Sequence, residues 1–235
     1  MTIHVGLLLF PDLTQLDLTG PYEVFRKTPG LAVHLVAESL DPAAAETGMR
    51  ILPDTTLAGC PPLDILCVPG GPGANAAMEN PAILAFLRAR APVARYVTSV
   101  CTGALVLGAA GLLRGRRATT HWSAHDLLAG LGAIPTQGRV VRDGNLVTGG
   151  GVTAGIDFAL SLVAELFGEA EAQRVQLQIE YAPAPPFDAG SPETAPAAVL
   201  AEARRRGAAM RAAREALVKR VGLSSPCADA PEAGA

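Results

Sequence analysis

Three short runs constrain the fold more than anything else in the chain: residues 3–10 (IHVGLLLF), 65–68 (ILCV) and 96–100 (YVTSV). A strand with one wet face alternates polar and apolar side chains, whereas these runs have no wet side. They read as strands buried on both faces of a parallel sheet. Residues 31–37 (LAVHLVA) read as a further strand. Helical stretches separate them: one opened by Gly20-Pro21 through Tyr22-Glu23-Val24-Phe25, then residues 81–90, 103–110 and 154–167. Strands alternating with helices predict an α/β fold, a mostly parallel central sheet with helices on both faces. Residues 45–57 and the segment around Asp143-Gly144-Asn145 read as hairpins.

At 235 residues and 49% hydrophobic, the chain is long enough for one large domain with a helical appendage. We expect a catalytic domain over residues 1–197, a helix over 198–223 packed on the domain or on a dimer partner, and a disordered tail over 224–235. In that helix Val199, Leu200, Met210, Leu217 and Val221 are the expected packing contacts. Its arginines (Arg204, Arg205, Arg206, Arg211, Arg214), interspersed with Glu202 and Glu215, read as a solvated face. A net charge of −3 argues against nucleic acid as the partner. No run approaches the ~20 apolar residues of a membrane span. The first ten residues read as a strand and not a signal peptide, so a soluble, cytoplasmic protein is expected. The cysteines at 60, 67, 101 and 227 form no zinc-ligand spacing, and no metal is expected.

Ligands of such sheets bind beyond the carboxyl ends of the strands. Three marked positions fall there: the loop after the first strand, the loop Pro69-Gly70-Gly71-Pro72-Gly73, and Cys101. Cys101 sits between a strand and a helix, the place of a nucleophile elbow, where helix N–H groups favour thiolate over thiol. The amides of Gly71 and Thr102 are candidates to stabilise charge developing on a substrate. Asp17 is either a helix cap or a carboxyl that reaches Cys101; in the second case its pKa must be raised, because an ionised Asp17 opposes a thiolate. Glu23 is the rival carboxylate. His121 beside Trp122 is either a base with an aromatic wall or a structural histidine.

These residues resemble a known group. The run YVTSVCTGALVLGAAGLLRGRRATTHW over residues 96–122 is similar to the PfpI-like branch of the class I glutamine amidotransferase-like superfamily. Within it, LLFPDLTQLDLTGP (8–21), CVPGGPG (67–73), VVRDGNLVTGGGVTAGIDFAL (140–160) and RVQLQIEYAPAPPFDAGSP (174–192) resemble the isonitrile hydratases. The resemblance implies a flavodoxin-like three-layer sandwich, a homodimer, and cofactor-free hydration of isonitriles to N-substituted formamides. It puts the nucleophile on Cys101, the acid/base carboxylate on Asp17, the neighbouring threonine on Thr102 and the glycine-loop amide on Gly71. Trp122, His121 and Gly150 are the expected pocket residues. Many members of the wider superfamily carry a glutamate on the first helix, and some a histidine directly after the cysteine. Thr102 in that place argues against protease-like and glutaminase-like chemistry. The added DNA-binding helices of related regulators are not expected. A glyoxalase-like or amide-hydrolysing enzyme and a thiol redox or ligand sensor are the competing readings.

Overall fold

The structure is a computed structural model and describes residues 2–224. The first half of the sheet is built by β1 (Ile3–Leu8), β2 (Leu31–Ala37), β5 (Thr55–Thr56) and β6 (Ile65–Val68), with β3 (Ala43–Ala44) and β4 (Arg50–Ile51) forming a small antiparallel hairpin outside it. The second half comprises β7 (Tyr96–Val100), β10 (Val140–Asp143) and β11 (Leu146–Gly149), while β8 (Arg117–Ala118) and β9 (Ile134–Pro135) make a separate two-stranded piece. The order across the seven-stranded sheet is β10-β11-β7-β6-β1-β2-β5, all parallel except the β10–β11 hairpin. Every residue of β6, β7 and β11 is buried, as continuous runs without a polar face require.

Helices α1 (Gln15–Arg26), α5 (Ala154–Phe167) and α6 (Glu169–Gln178) cover one face of the sheet; α5 packs on both of the others. On the opposite face lie α2 (Ala74–Ala77), α3 (Pro81–Arg90), α4 (Gly103–Ala109), the 3-10 helix Trp122–Leu131 and α7 (Ala197–Ser224). The architecture is therefore the three-layer α/β sandwich expected, with the C-terminal helix added. The hairpin expected over residues 45–57 is divided: β4 returns to β3, and β5 joins the main sheet beside β2. The 3-10 helix and α6 had no sequence signal strong enough to single them out. The tail expected to be disordered, apart from Ser224 at the end of α7, lies outside the described residues.

Two expectations are corrected. Helix α1 begins at Gln15, not at Gly20-Pro21, and Pro21 lies inside it, buried. Proline is tolerated there at the loss of one intrahelical hydrogen bond, and the small Gly20 lets α1 approach α5, where a Cβ would lie 3.2 Å from Ile156. Helix α7 does pack through Leu217 and Val218, but Val199 is 54% exposed and Arg214, read as part of a solvated face, is buried. The apolar positions of an Ala/Arg-rich helix carry too weak a periodicity to fix its inner face.

The chain leaves β1 outward to β2 and returns across it to β6, so the loops after β1 and β6 diverge and open a crevice at the carboxyl edge. Leu7 of β1 stands level with Cys67 of β6, and Cys67 with Thr98 of β7, which brings the ends of the three strands together. Close backbone approach is what makes this edge compact. A Cβ on Gly103 would stand 2.1 Å from the Val68 carbonyl oxygen, whereas one on Gly151 meets nothing within 4 Å. Gly103→Ala is therefore expected to lower stability by about 1–3 kcal/mol through overpacking. Gly151→Ala should change it little; urea denaturation of the two variants measures the contrast.

Candidate active site

Cys101 and Thr102 join β7 to α4, and Cys101 has φ +52, a left-handed conformation that costs a non-glycine residue about 1–2 kcal/mol. Backbone bonds on both sides hold it there. Its N–H donates to the Gly149 carbonyl at the end of β11 (3.1 Å), and its carbonyl accepts from the buried Thr120 hydroxyl (2.6 Å). The side chain is 6% exposed, poised beneath the surface of the carboxyl edge.

Asp17 lies in the first turn of α1, fully buried. It is not the helix cap: Thr14 occupies that position. Its Oδ2 accepts the Gly70 N–H at 2.8 Å, and the carboxyl interacts with the Cys101 thiol. Oδ1 has no hydrogen-bond partner of ordinary geometry. Burial raises the Asp17 pKa from 3.8 to about 7, the Gly70 amide and the Cys101 thiol oppose that rise without cancelling it, and the charge of Glu46 adds to it. The rival Glu23 is exposed and pairs with Lys27 at 3.2 Å on the same helix.

The thiolate expected at the head of α4 is opposed by the surroundings of the sulfur. Burial, and then the negative charge of Asp17, push the Cys101 thiol upward, outweighing the Thr102 amide, Arg214 and the Thr102 hydroxyl, which pull it down. A seven-residue helix offers a modest field, and removing a thiolate from water costs more. Cys101 and Asp17 thus form a coupled buried pair in which both acids are pushed toward their protonated forms.

The glycine loop serves this pair differently from the expectation. The Gly71 N–H is engaged, donating to the Thr102 hydroxyl oxygen at 2.9 Å, and the same hydroxyl lies 3.2 Å from the Gly71 carbonyl. It is the Thr102 amide that interacts with the Cys101 sulfur. Only glycine fits at position 70, where a Cβ would stand 2.4 Å from the Thr102 nitrogen.

His121 and Trp122 stand side by side, ring centroids 5.4 Å apart. His121 caps the 3-10 helix: Nδ1 accepts the Ser123 N–H at 3.3 Å and lies 2.8 Å from the Ser123 hydroxyl. Burial first, and Arg214 second, hold its pKa below the usual histidine range. Among the described residues no hydrogen bond joins His121 to Cys101, so the geometry is that of a neutral structural histidine. Trp122 and His121 form a wall shared by two cavities. One, of about 710 Å³, is also lined by Thr120, Gly138, Gly150 and Ser191; the other, of about 620 Å³, runs under α7 past Met210, Arg211 and Arg214. The three expected pocket residues therefore meet in the first cavity. Thr120, Asn75 and Arg214 were not singled out from sequence; a buried arginine on an Ala/Arg helix carries no local mark. No group of three or more potential metal ligands occurs among the described residues, and no described helix is long and apolar enough to cross a membrane.

Known proteins are similar to this chain in sequence and in fold. The chain is 62% identical to an isonitrile hydratase of Pseudomonas putida over 88% of its own length and 91% of that protein. It is 30% identical to a glutathione-independent glyoxalase of Caenorhabditis elegans, over 69% of its length and 89% of that protein. The crystal structure of a THiJ/PfpI family protein from Pseudomonas syringae superposes with a TM-score of 0.91 at 47% identity, covering 93% of this chain and 91% of that one. The DJ-1/PfpI family pattern matches residues 4–165, a span holding the whole sheet, the Cys101 elbow and Asp17, and the chain belongs to that family.

Proposed function

We propose that this protein is a hydro-lyase that hydrates isonitriles to N-substituted formamides, with Cys101 as nucleophile and Asp17 as its proton carrier. The observation that carries the reading is the buried Cys101–Asp17 pair, set in a left-handed elbow whose Cys101 carbonyl is held by Thr120, a residue that also lines the cavity walled by Trp122. The 62% identity to an isonitrile hydratase supports the choice of substrate. The catalytic unit is the domain of residues 1–197 with its C-terminal helix, acting in the cytoplasm as a homodimer and without a cofactor.

The chemistry follows from where the proton rests. Near neutral pH the pair holds one proton, on sulfur, and Asp17 is the nearest acceptor. As the sulfur attacks the terminal carbon of the isonitrile, Asp17 takes the thiol proton and delivers it to that carbon. A C–S bond and a C–H bond form, giving a thioimidate. Asp17, again a carboxylate, removes a proton from water as its oxygen adds to the same carbon and passes that proton to the imine nitrogen. Collapse breaks the C–S bond, releases the formamide and returns the proton to sulfur. The Thr102 amide and hydroxyl hold the sulfur through these steps, and Trp122, His121 and Gly150 line the space for the organic group. A thiol-sensor reading fits less well, because an oxidisable sensor needs an exposed thiolate and burial here opposes one.

Cys101→Ala is expected to abolish formamide formation from an aryl isonitrile, followed by mass spectrometry, with the fold retained by circular dichroism. Residual turnover at more than a few per cent would remove Cys101 as nucleophile. Methylglyoxal turnover measured in parallel separates the glyoxalase reading. Asp17→Asn should lower kcat/KM by on the order of 10²-fold or more. In the wild type kcat/KM should fall as pH drops below about 7, where Asp17 gains a proton and no longer accepts one from the thiol.

The same carboxyl affects stability with a definite sign. Folded Asp17 binds its proton more tightly than unfolded Asp17, so stability is lost as pH rises from 3.8 to about 7 and is constant above. The cost at pH 8 is about 4 kcal/mol at most. Asp17→Asn should therefore be more stable than wild type at pH 8, with the difference closing as pH falls toward 4, as read from urea midpoints across pH. An Asp17→Asn variant less stable than wild type at pH 8 would show that the carboxylate is solvated.

A further inference from the structure

Helix α7 carries six arginines between residues 204 and 220, of which Arg204, Arg205, Arg206 and Arg220 are exposed and Arg211 is half-buried. Arg214 alone among them is turned fully inward, at 7% exposure. Its bonds go to neutral groups. Nε donates to Asn75 Oδ1 at 2.9 Å, and Nη2 donates to the Gly71 carbonyl at 3.0 Å. Arg211 beside it bridges Asp126 at 2.6 Å, but among the described residues no carboxylate forms a salt bridge with Arg214. Burying a cation without a counter-charge is unfavourable, and it is the more telling where a negative charge forms during turnover.

The negative charge is close. The thiolate form of Cys101 is the first group that favours the Arg214 cation, and Glu46, on the loop between β3 and β4, is the second. A bonded path also connects them. Arg214 holds the Gly71 carbonyl, the Gly71 N–H and carbonyl both meet the Thr102 hydroxyl, and Thr102 interacts with the sulfur through its amide and side chain. The hydroxyl has one proton and two acceptors, the Gly71 carbonyl and the sulfur. A charge-assisted bond from Arg214 to that carbonyl weakens its claim on the proton.

We propose that Arg214 is a positioning residue of the Cys101 site: it fixes the Gly71–Thr102 contact and sets a positive charge beside the sulfur, favouring the thiolate and the anion formed as it attacks. The family match ends at residue 165, so α7 supplies this cation from outside the common core. The inference rests on Cys101 being the nucleophile, and its test does not require any particular substrate.

The test compares alkylation of Cys101 by anionic iodoacetate and neutral iodoacetamide in the full chain at pH 8, read on the Cys101 peptide by mass spectrometry. The ratio of the two rates cancels changes in access and in thiolate population and reports the local potential. Asp17, Glu46 and His121, the other titratable groups around the sulfur and the guanidinium, are the same in every variant. Arg214→Met should lower the ratio by about tenfold and slow isonitrile turnover, while Arg214→Lys should keep the ratio within about twofold. If Arg214→Met does not fold, Arg214→Gln, which retains a donor for Gly71 without charge, should show the same loss. An unchanged ratio in folded Arg214→Met or Arg214→Gln would overturn the proposal, since a purely structural role slows both reagents alike. Loss of the ratio in a protein whose wild type hydrates no isonitrile would sustain the role of Arg214 and dismiss the substrate.

Discussion

Between β7 and α4 the chain reverses through two residues, and the first of them is the cysteine. At φ +52 its backbone is held by the Gly149 carbonyl on one side and the Thr120 hydroxyl on the other. The turn is possible only because the β6 loop comes close enough to touch it, with Gly70 against the Thr102 nitrogen and Gly103 against the Val68 carbonyl. The rest of the site is referred to this point. Asp17 is fixed to the same loop through the Gly70 amide, and Thr102 through Gly71. A sheet in which β7, β6 and β1 end level is what lets three distant segments meet there.

Electrostatics at this point is decided by burial. Each polar contact of Asp17 within the site favours its ionised form, yet the carboxyl rises to about 7, because leaving water costs more than those contacts return. The thiol is displaced in the same sense. Two acids that both resist ionisation, placed within reach of one another, hold one proton in common and can pass it to a third group. That arrangement is what the proposed proton transfer to carbon requires, and the buried carboxyl it needs costs folding stability.

Helix α7 enlarges this picture. It is tied to the domain by Leu217 and Val218 in the core, by Arg211 to Asp126, and by Arg214 to the glycine loop. It also closes one side of the cavity whose other wall is Trp122. A common α/β core thereby gains both a new wall and a buried cation from a segment after residue 165.

How much of this was legible before folding depends on the range of each interaction. Strands β1, β6 and β7 were visible because a strand buried on both faces favours continuous apolar or β-branched residues, and Cys101 was visible because strand, cysteine and small-residue helix adjoin in sequence. The sequence by itself therefore determined the α/β class, the carboxyl edge as the candidate site and Cys101 as the candidate nucleophile. Asp17 was only half legible: an aspartate in a first turn is the same letter whether it caps a helix or is buried, and its contact with Gly70 spans 53 positions. The start of α1 was misplaced because Pro21 usually marks a beginning, and packing against α5 overrode that preference. The tertiary structure alone decided the protonation of the Cys101–Asp17 pair, the engagement of the Gly71 amide and the inward turn of Arg214. Solvation and charge depend on what surrounds a group in space, and that environment is assembled from segments the chain order keeps apart.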